Sequence, residues 1–263
     1  MQHRPATLIQ ISDCHLFAEP ERELGGVNTY RSLIDVLDLI RQQEPKIDHL
    51  ILTGDISQDD SIESYHVCHQ LLADLNVPFT WLRGNHDDMS MAASVMYQSN
   101  FQRIVAVGNW KVVMLNSQVS KQIHGELDAN ELAALEEALI RFQVHPTLLA
   151  IHHPPATVDS QWLDQINLKN SNSLITLLKG YPQVQGIIHG HIHQERDIIE
   201  EGIRILSAPS TCVQFAPNAE QFNLDTRQPG YRSLTLYPDG HMQTRVHRLP
   251  KGTWLPDTSQ GAY

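Results

Sequence analysis

Asp13 with His15, Asp55, the run Asn85-His86-Asp87, His152 with His153, and His191 with His193 fall in five short blocks scattered along the chain. Carboxylate, amide oxygen and imidazole are donors that suit two divalent first-row metals better than a closed structural zinc cage. Two such metals, roughly 3.5–4 Å apart, can supply a nucleophile at neutral pH and neutralise charge on a transferring phosphoryl group. Cations held that close need a shared anion, and Asp55, which follows Gly54 and precedes a loop, is the natural bridge. Side chains alternate with period two along an extended segment. Asp13-Cys14-His15 would then present its outer pair to one metal and turn Cys14 away. His191-Ile192-His193 repeats the spacing, with Ile192 toward the core.

Each block follows an apolar run of strand character: 8–11, 50–52, 79–82, 148–151 and 186–188. Sites in α/β sheets gather at the carboxyl ends of strands, so clusters at five strand ends can converge. Helical spacing of Leu33, Ile34, Leu37 and Ile40 predicts a helix over 30–42. A second helix is expected over 61–75, opened by Asp59, Asp60 or Ser61, and another from Asp128, whose pairing with Glu131 reads as a capping box, to about 142. A short one covers 171–179. Strands are predicted at 110–116, 203–207, 231–237 and 242–247, the last two joined by the Pro238-Asp239-Gly240 turn. Helices alternating with strands early, then strand-rich sequence, predict an α/β (α+β) fold. The expected form is a four-layer αββα sandwich, two mixed β-sheets packed face to face with helices outside. One domain is expected over 1–250, and a loosely held polar tail over 251–263.

The formal charge of −11 argues against nucleic acid as a partner, because that binding leans on Lys and Arg at phosphates. Bound cations would reverse the sign locally, so an anionic substrate stays possible. No run approaches the roughly 18 apolar residues of a membrane span, and a strand pattern follows Met1-Gln2-His3-Arg4-Pro5 at once, so neither a membrane nor an apolar signal segment is expected. Three scattered cysteines make no disulfide framework, which fits a reducing cytoplasm. Oligomeric state is left open.

The five blocks resemble the calcineurin-like metallophosphoesterase superfamily, whose pattern D-x-H, G-D, G-N-H-D/E, a later His and G-H-x-H is present in full and in order. The resemblance implies one metal on Asp13, His15, Asp55 and His193, and another on Asp55, Asn85, His152 and His191. It implies His86 as general acid at the leaving oxygen, with Asp87 orienting it, and substrate contacts from Asn85, His86, His15 and His193. Mixed imidazole and carboxylate ligation suits Fe and/or Mn, with Zn or Co as alternatives. Segments 24–29, 124–127, 209–215, 224–226 with Pro229-Gly230, and 246–249 are similar to bacterial class III cyclic-AMP phosphodiesterases. That likeness implies hydrolysis of 3′,5′-cyclic AMP to 5′-AMP by a metal-activated hydroxide attacking phosphorus in line. A broader activity on small phosphoesters is the alternative.

Residues near the blocks carry plainer expectations. His189 reads as a satisfied core histidine, His153 as either a support of the metal site or a substrate-facing group, and Cys14 as a small buried residue. Asp59 and Asp60 read as helix-cap residues. The block 83–87 also resembles the Ser/Thr protein phosphatases, but 54–60 offers no Arg to clamp a phosphoryl group. A non-catalytic scaffold would be expected to lose ligands, and this chain keeps them all. The irregular segment 208–230 is expected to line a nucleotide pocket, with Phe215 or Phe222 stacking on adenine.

Overall fold

The computed structural model of the protein describes residues 4–95 and 98–259. Two mixed sheets dominate. The first runs, in spatial order, Met242–Arg248, Gly230–Leu236, Ala6–Ile11, His49–Leu52 and Phe79–Trp81; the last three are mutually parallel. The second runs Arg196–Glu200, Ile203–Ser207, Val184–His189, Thr147–Ile151, Trp110–Met114 and Ile104–Val107, with parallel pairing from Ile203–Ser207 through Trp110–Met114.

Strand alternation sorts the apolar residues into layers. Leu8, Ile51, Leu148, Ala150, Ile188 and Leu206 meet between the two sheets. Their neighbours Ile9, Ile11, Leu50 and Leu52 face the other way, onto Leu33, Leu37 and Ile40 of helix Thr29–Gln43 and Tyr65 and Leu72 of helix Ile62–Ala73. Leu149, Ile151 and Ile187 turn outward in the same manner onto Leu135 and Leu139 of helix Ala129–Arg141 and Leu174 and Leu178 of helix Ser171–Leu178. The result is the expected four-layer αββα order. Asn28, Ser61 and Asp128 cap their helices by accepting bonds from Arg31 N, Ser64 N and Glu131 N. Asp59 secures the turn before the second helix, accepting from the Ala18 and Ser61 amides.

Elements outside the sequence expectations include the edge strands Ile104–Val107 and Arg196–Glu200 and the helices Met89–Val95 and Gln161–Asp164. Edge strands are half solvated, so Arg196-Asp197-Ile198-Ile199-Glu200 shows no apolar run to betray it. The tail is fastened at several points: Trp254 Nε1 donates to Asp35 Oδ2 at 3.1 Å, Trp254 N to Gln228 Oε1 at 2.8 Å, and Asp257 N to Gly25 O at 2.8 Å. Its last four residues, 260–263, lie outside the described residues. No described helix is long and apolar enough to cross a membrane, and Cys14, Cys68 and Cys212 are free, buried thiols.

Candidate metal centre

Each block sits immediately beyond a strand, at its carboxyl end. Ala6–Ile11, His49–Leu52 and Phe79–Trp81 deliver Asp13 and His15, Asp55, and Asn85 with His86 from the first sheet. Thr147–Ile151 and Val184–His189 deliver His152, and His191 with His193, from the second. The site therefore spans the shared upper edge of both sheets.

The backbone at this edge departs from the extended geometry that spacing alone suggested. Asp13, His15, Asp55, His191 and His193 all adopt left-handed conformations, with φ of 55°, 46°, 52°, 71° and 48°. Such a conformation costs a non-glycine residue about 1–2 kcal/mol, and the surrounding fold must over-determine it. The D-x-H and H-x-H pairs are thus produced by two left-handed residues around one ordinary residue, not by a pleated strand. The middle residues still point away, Cys14 into the core against the first sheet and Ile192 into a cluster with Phe215 and Leu224. The second pair also divides: His193 joins Asp13 and His15, whereas His191 joins His152 and His153.

Asp55 lies between the two groups. Its Oδ2 is 3.2 Å from His152 Nε2 and 3.8 Å from His15 Nε2, while Oδ1 accepts the His86 backbone N–H at 2.9 Å. Across the site, His15 Nε2 and His193 Nε2 approach to 3.1 Å, His191 Nδ1 and His152 Nε2 to 3.3 Å, and Asn85 Oδ1 stands 3.1 Å from His152 Nε2. Three rings are aimed by their other nitrogen. Nδ1 of His15 donates to Gln58 Oε1 (2.6 Å), that of His152 to Thr53 O (2.7 Å) and that of His193 to Val213 O (2.9 Å). Each Nε2 is thereby turned inward, and on the neutral His15 and His193 rings it carries the lone pair that a metal-ligating imidazole requires. Phe215 supports His193 from behind, its ring stacked at 3.9 Å and 8°.

Electrostatics agree with a cation-binding cavity. Burial lowers His15 and His191 well below the ordinary imidazole value and His193 to about 3, so these rings stay neutral and keep a lone pair. Burial also pushes the Asp13 carboxyl up to about 7. On Asp55 burial pulls upward, but His152 and His86 hold it well below the carboxylate range. Burial opposes a proton on His152, yet the Asp55 carboxylate raises it to about 9. Two buried carboxylates thus create a demand for positive charge that a single His152 proton answers in part. Together with His191 Nε2, a buried ring nitrogen without a hydrogen-bond partner, that demand shows the residues present fit a pair of divalent cations.

The glycines of the motifs have a steric reason. A Cβ on Gly84 would stand 2.5 Å from Asp55 N, and one on Gly54 would stand 2.7 Å from Gly84 N. The two loops cross with no room for a methyl group.

Asp87 lies beneath the crossing of two loops. Its Oδ1 accepts from Ile56 N (3.0 Å), Ser57 N (3.3 Å) and Tyr65 Oη (3.2 Å), and Oδ2 from Gly84 N (2.9 Å). Both oxygens tie the Asp55 loop to the Asn85 loop, which fixes the backbone on either side of His86. His189 is a satisfied core histidine, its Nδ1 donating to Gly190 O at 2.9 Å. His153 is buried with both nitrogens engaged, Nε2 donating to Ile123 O (3.0 Å) and Nδ1 accepting from Ser117 Oγ (2.8 Å).

A cleft of about 450 Å³ opens above Asp55, Asn85, His86, His191 and His193, walled by Trp162, Phe222 and residues 121–123. Phe222 lines it as expected. Phe215 also reaches it, but one ring face is already committed to His193. Gln58, Trp162 and Ile123 were not anticipated; Gln58 stands three residues after Asp55, the one regularity that could have marked it.

The sequence profile of the calcineurin-like phosphoesterases matches residues 6–195. A 3′,5′-cyclic adenosine monophosphate phosphodiesterase of Pseudomonas aeruginosa is 39% identical over 257 residues, 97% of this chain and 94% of its own. Its counterpart in Escherichia coli K12 is 40% identical over 259 residues with the same coverage. A 3′,5′-cyclic-nucleotide phosphodiesterase of Nostoc is 37% identical over 98% of both chains. Among solved structures, a purple acid phosphatase from yellow lupin superposes with a TM-score of 0.70 at 15% identity, over 97% of this chain and 53% of that one. A dimetal phosphatase from Danio rerio gives 0.60 at 15% identity over 92% and 98%. At that identity the two structures speak to the fold alone.

Proposed function

The chain belongs to the calcineurin-like phosphoesterase family, and on that premise we propose that it is a metal-dependent phosphodiesterase that hydrolyses 3′,5′-cyclic AMP to 5′-AMP. The reading is carried by one observation: Asp55 stands between a group of Asp13, His15 and His193 and a group of His152 and His191. The substrate follows from relatives named for cyclic AMP that match nearly the whole chain, well beyond the metal blocks.

Asp13, His15, Asp55 and His193 would hold one divalent cation, and Asp55, Asn85, His152 and His191 the other, Fe or Mn by donor type, with Zn or Co also compatible. When bound, the pair supplies Lewis-acid charge neutralisation and a nucleophilic oxygen at neutral pH. Asn85, His15 and His193 then border the phosphoryl group. His86, half-exposed at the cleft floor, hands a proton to the leaving ribose oxygen, which would otherwise depart as a poor alkoxide. Gln58, Thr53 and Val213 keep the ligand rings in register throughout. Free buried thiols suit a reducing cytoplasm, and the acidic chain leaves nucleic acid an unsuitable partner.

The test is metal analysis of the purified protein together with product identification on cyclic AMP, cyclic GMP and linear diesters. Two metals per chain and 5′-AMP as product are expected. Turnover confined to linear esters, with cyclic AMP untouched, would overturn the substrate assignment and leave the two-metal reading standing.

A further inference from the structure

Above the metal centre the cleft is lined by two segments that no ligand or catalytic role explains. One is the loop that carries Ile123, a side chain left 57% exposed at the cleft. The other is the short helix Gln161–Asp164, which carries Trp162. Trp162 stands edge-on to Phe215 (5.1 Å, 68°) and to Phe222 (5.4 Å, 75°), so its orientation is fixed by two rings. Its Nε1–H is buried without a hydrogen-bond partner. The donor is turned away from the open cleft, so what Trp162 offers a ligand there is its indole surface. An exposed aliphatic side chain and a braced indole lining one cleft make an apolar wall that suits a flat heteroaromatic ring.

The loop wall is tied to the chemistry below it. Ile123 O takes its hydrogen bond from His153 Nε2, and His153 follows the ligand His152 directly. The same loop passes so near His153 that a Cβ on Gly125 would stand 2.5 Å from the imidazole Cγ. Any shift of His153 is therefore passed to the loop.

We propose that Ile123 and Trp162 form the two faces of a slot that holds the nucleobase, and that His153 is a positioning residue that keeps the Ile123 face in register with the metal centre. The proposal deepens the cyclic-nucleotide reading and rests on it for the identity of the base. Ile123 closes one face of the ring, Trp162 covers the other, and the phosphate lies toward Asn85 and His86.

The test compares binding of 5′-AMP and ribose 5-phosphate to the metal-loaded protein by calorimetry, since the ratio of the two affinities isolates the base. Trp162→Ala should reduce that ratio roughly 5- to 150-fold, the range base–aromatic stacking supplies. Trp162→Phe should keep most of it, and Ile123→Ser should move it in the same direction as Trp162→Ala. His153→Gln, which retains a donor for Ile123 O, should preserve the ratio better than His153→Leu. A folded Trp162→Ala protein with the parental ratio overturns the slot, as does an Ile123→Ser protein with the parental ratio should Trp162→Ala fail to fold. Turnover of cyclic AMP by the parent is measured separately, so loss of the substrate reading and loss of the slot give different results.

Discussion

Replacing Gly84 by Ala tests whether the crossing of two loops, and not any single ligand, holds the metal pair together. The new Cβ would stand 2.5 Å from Asp55 N and 2.6 Å from Asp55 Cγ, and closer still to Oδ1, where ordinary contacts begin near 3.0 Å. The loops must part by at least half an ångström. One of the three nearest atoms is the Asp55 backbone nitrogen, which no side-chain rotation can move aside. Parting them stretches the bond from His86 N to Asp55 Oδ1 and the bond from Gly84 N to Asp87 Oδ2, both 2.9 Å long. Bonds to charged groups contribute about 1.5–3 kcal/mol each, and overpacking alone costs about 1–3 kcal/mol. A displacement of order 1 Å at reacting groups costs about 10² in rate. Gly84→Ala should therefore lose at least one metal, lower kcat/KM on cyclic AMP by about 10² or more, and lower the urea midpoint. Gly202→Ala is the control, because its φ of 84° strains any side chain while nothing lies within 4 Å of the new Cβ. It should cost about 1–2 kcal/mol of stability and leave activity unchanged. A Gly84→Ala protein holding two metals with activity within threefold of the parent would refute the reasoning.

Other outcomes follow from the same geometry. Asp55→Asn should lose occupancy at both metal positions, and elemental analysis showing two tightly held metals would end the bridging role. His86→Ala should keep its metals yet lose about 10²–10⁴ in rate on cyclic AMP; the loss should nearly vanish on a nitrophenyl diester, whose leaving group needs no proton, and equal losses would exclude a general acid. His49, well away from the site and bonded to Thr80 Oγ1 at 2.9 Å, has its pKa lowered by burial to about 4. The fold therefore favours neutral His49, and this stability is complete above about pH 6.5 and drains away as pH falls toward 4. The span corresponds to about 3 kcal/mol. His49→Leu should accordingly show a shallower loss of unfolding free energy between pH 6.5 and 4.5, and identical slopes in urea titrations would contradict it.

The layered fold was legible because its strands are apolar on both sides. Leu8 and Ile9, or Leu148 and Leu149, face opposite layers that are each buried, and buried parallel strands show as continuous apolar runs. Arg196–Glu200 escaped because solvent replaces one of those layers, whereas Ile104–Val107 is apolar throughout and has no such reason. The candidate ligands were legible as residue types, but their presentation was not. Nothing local in Asp13-Cys14-His15 announces a left-handed backbone, which is imposed by hydrogen bonds from Asp13 N to Gly54 O and from His15 N to Asp55 O, about forty residues away. The structural work of Asp87 was hidden for a related reason: the three backbone amides it accepts from belong to two loops, and those of Ile56 and Ser57 lie about thirty residues away. Trp162 and Ile123 left no trace because an aromatic or aliphatic residue in a loop becomes informative only when the opposite wall is known.

The five left-handed ligand positions also bear on how the enzyme could change over generations. At each of them stands Asp or His, which tolerate this backbone better than most side chains yet still pay for it, so the proposed chemistry and folding pull on the same residue in opposite directions. Asp13→Asn keeps the shape, suits a left-handed backbone and removes a buried charge. With the metals stripped from both proteins, the variant should melt above its parent while remaining inactive when reloaded; a lower melting temperature would mean that Asp13 contributes to folding in its own right. In this part of the molecule the way to a sturdier protein leads away from the reaction. A copy released from the need to turn over substrate would be expected to shed its ligands at this edge of the sheets before it lost the core beneath them.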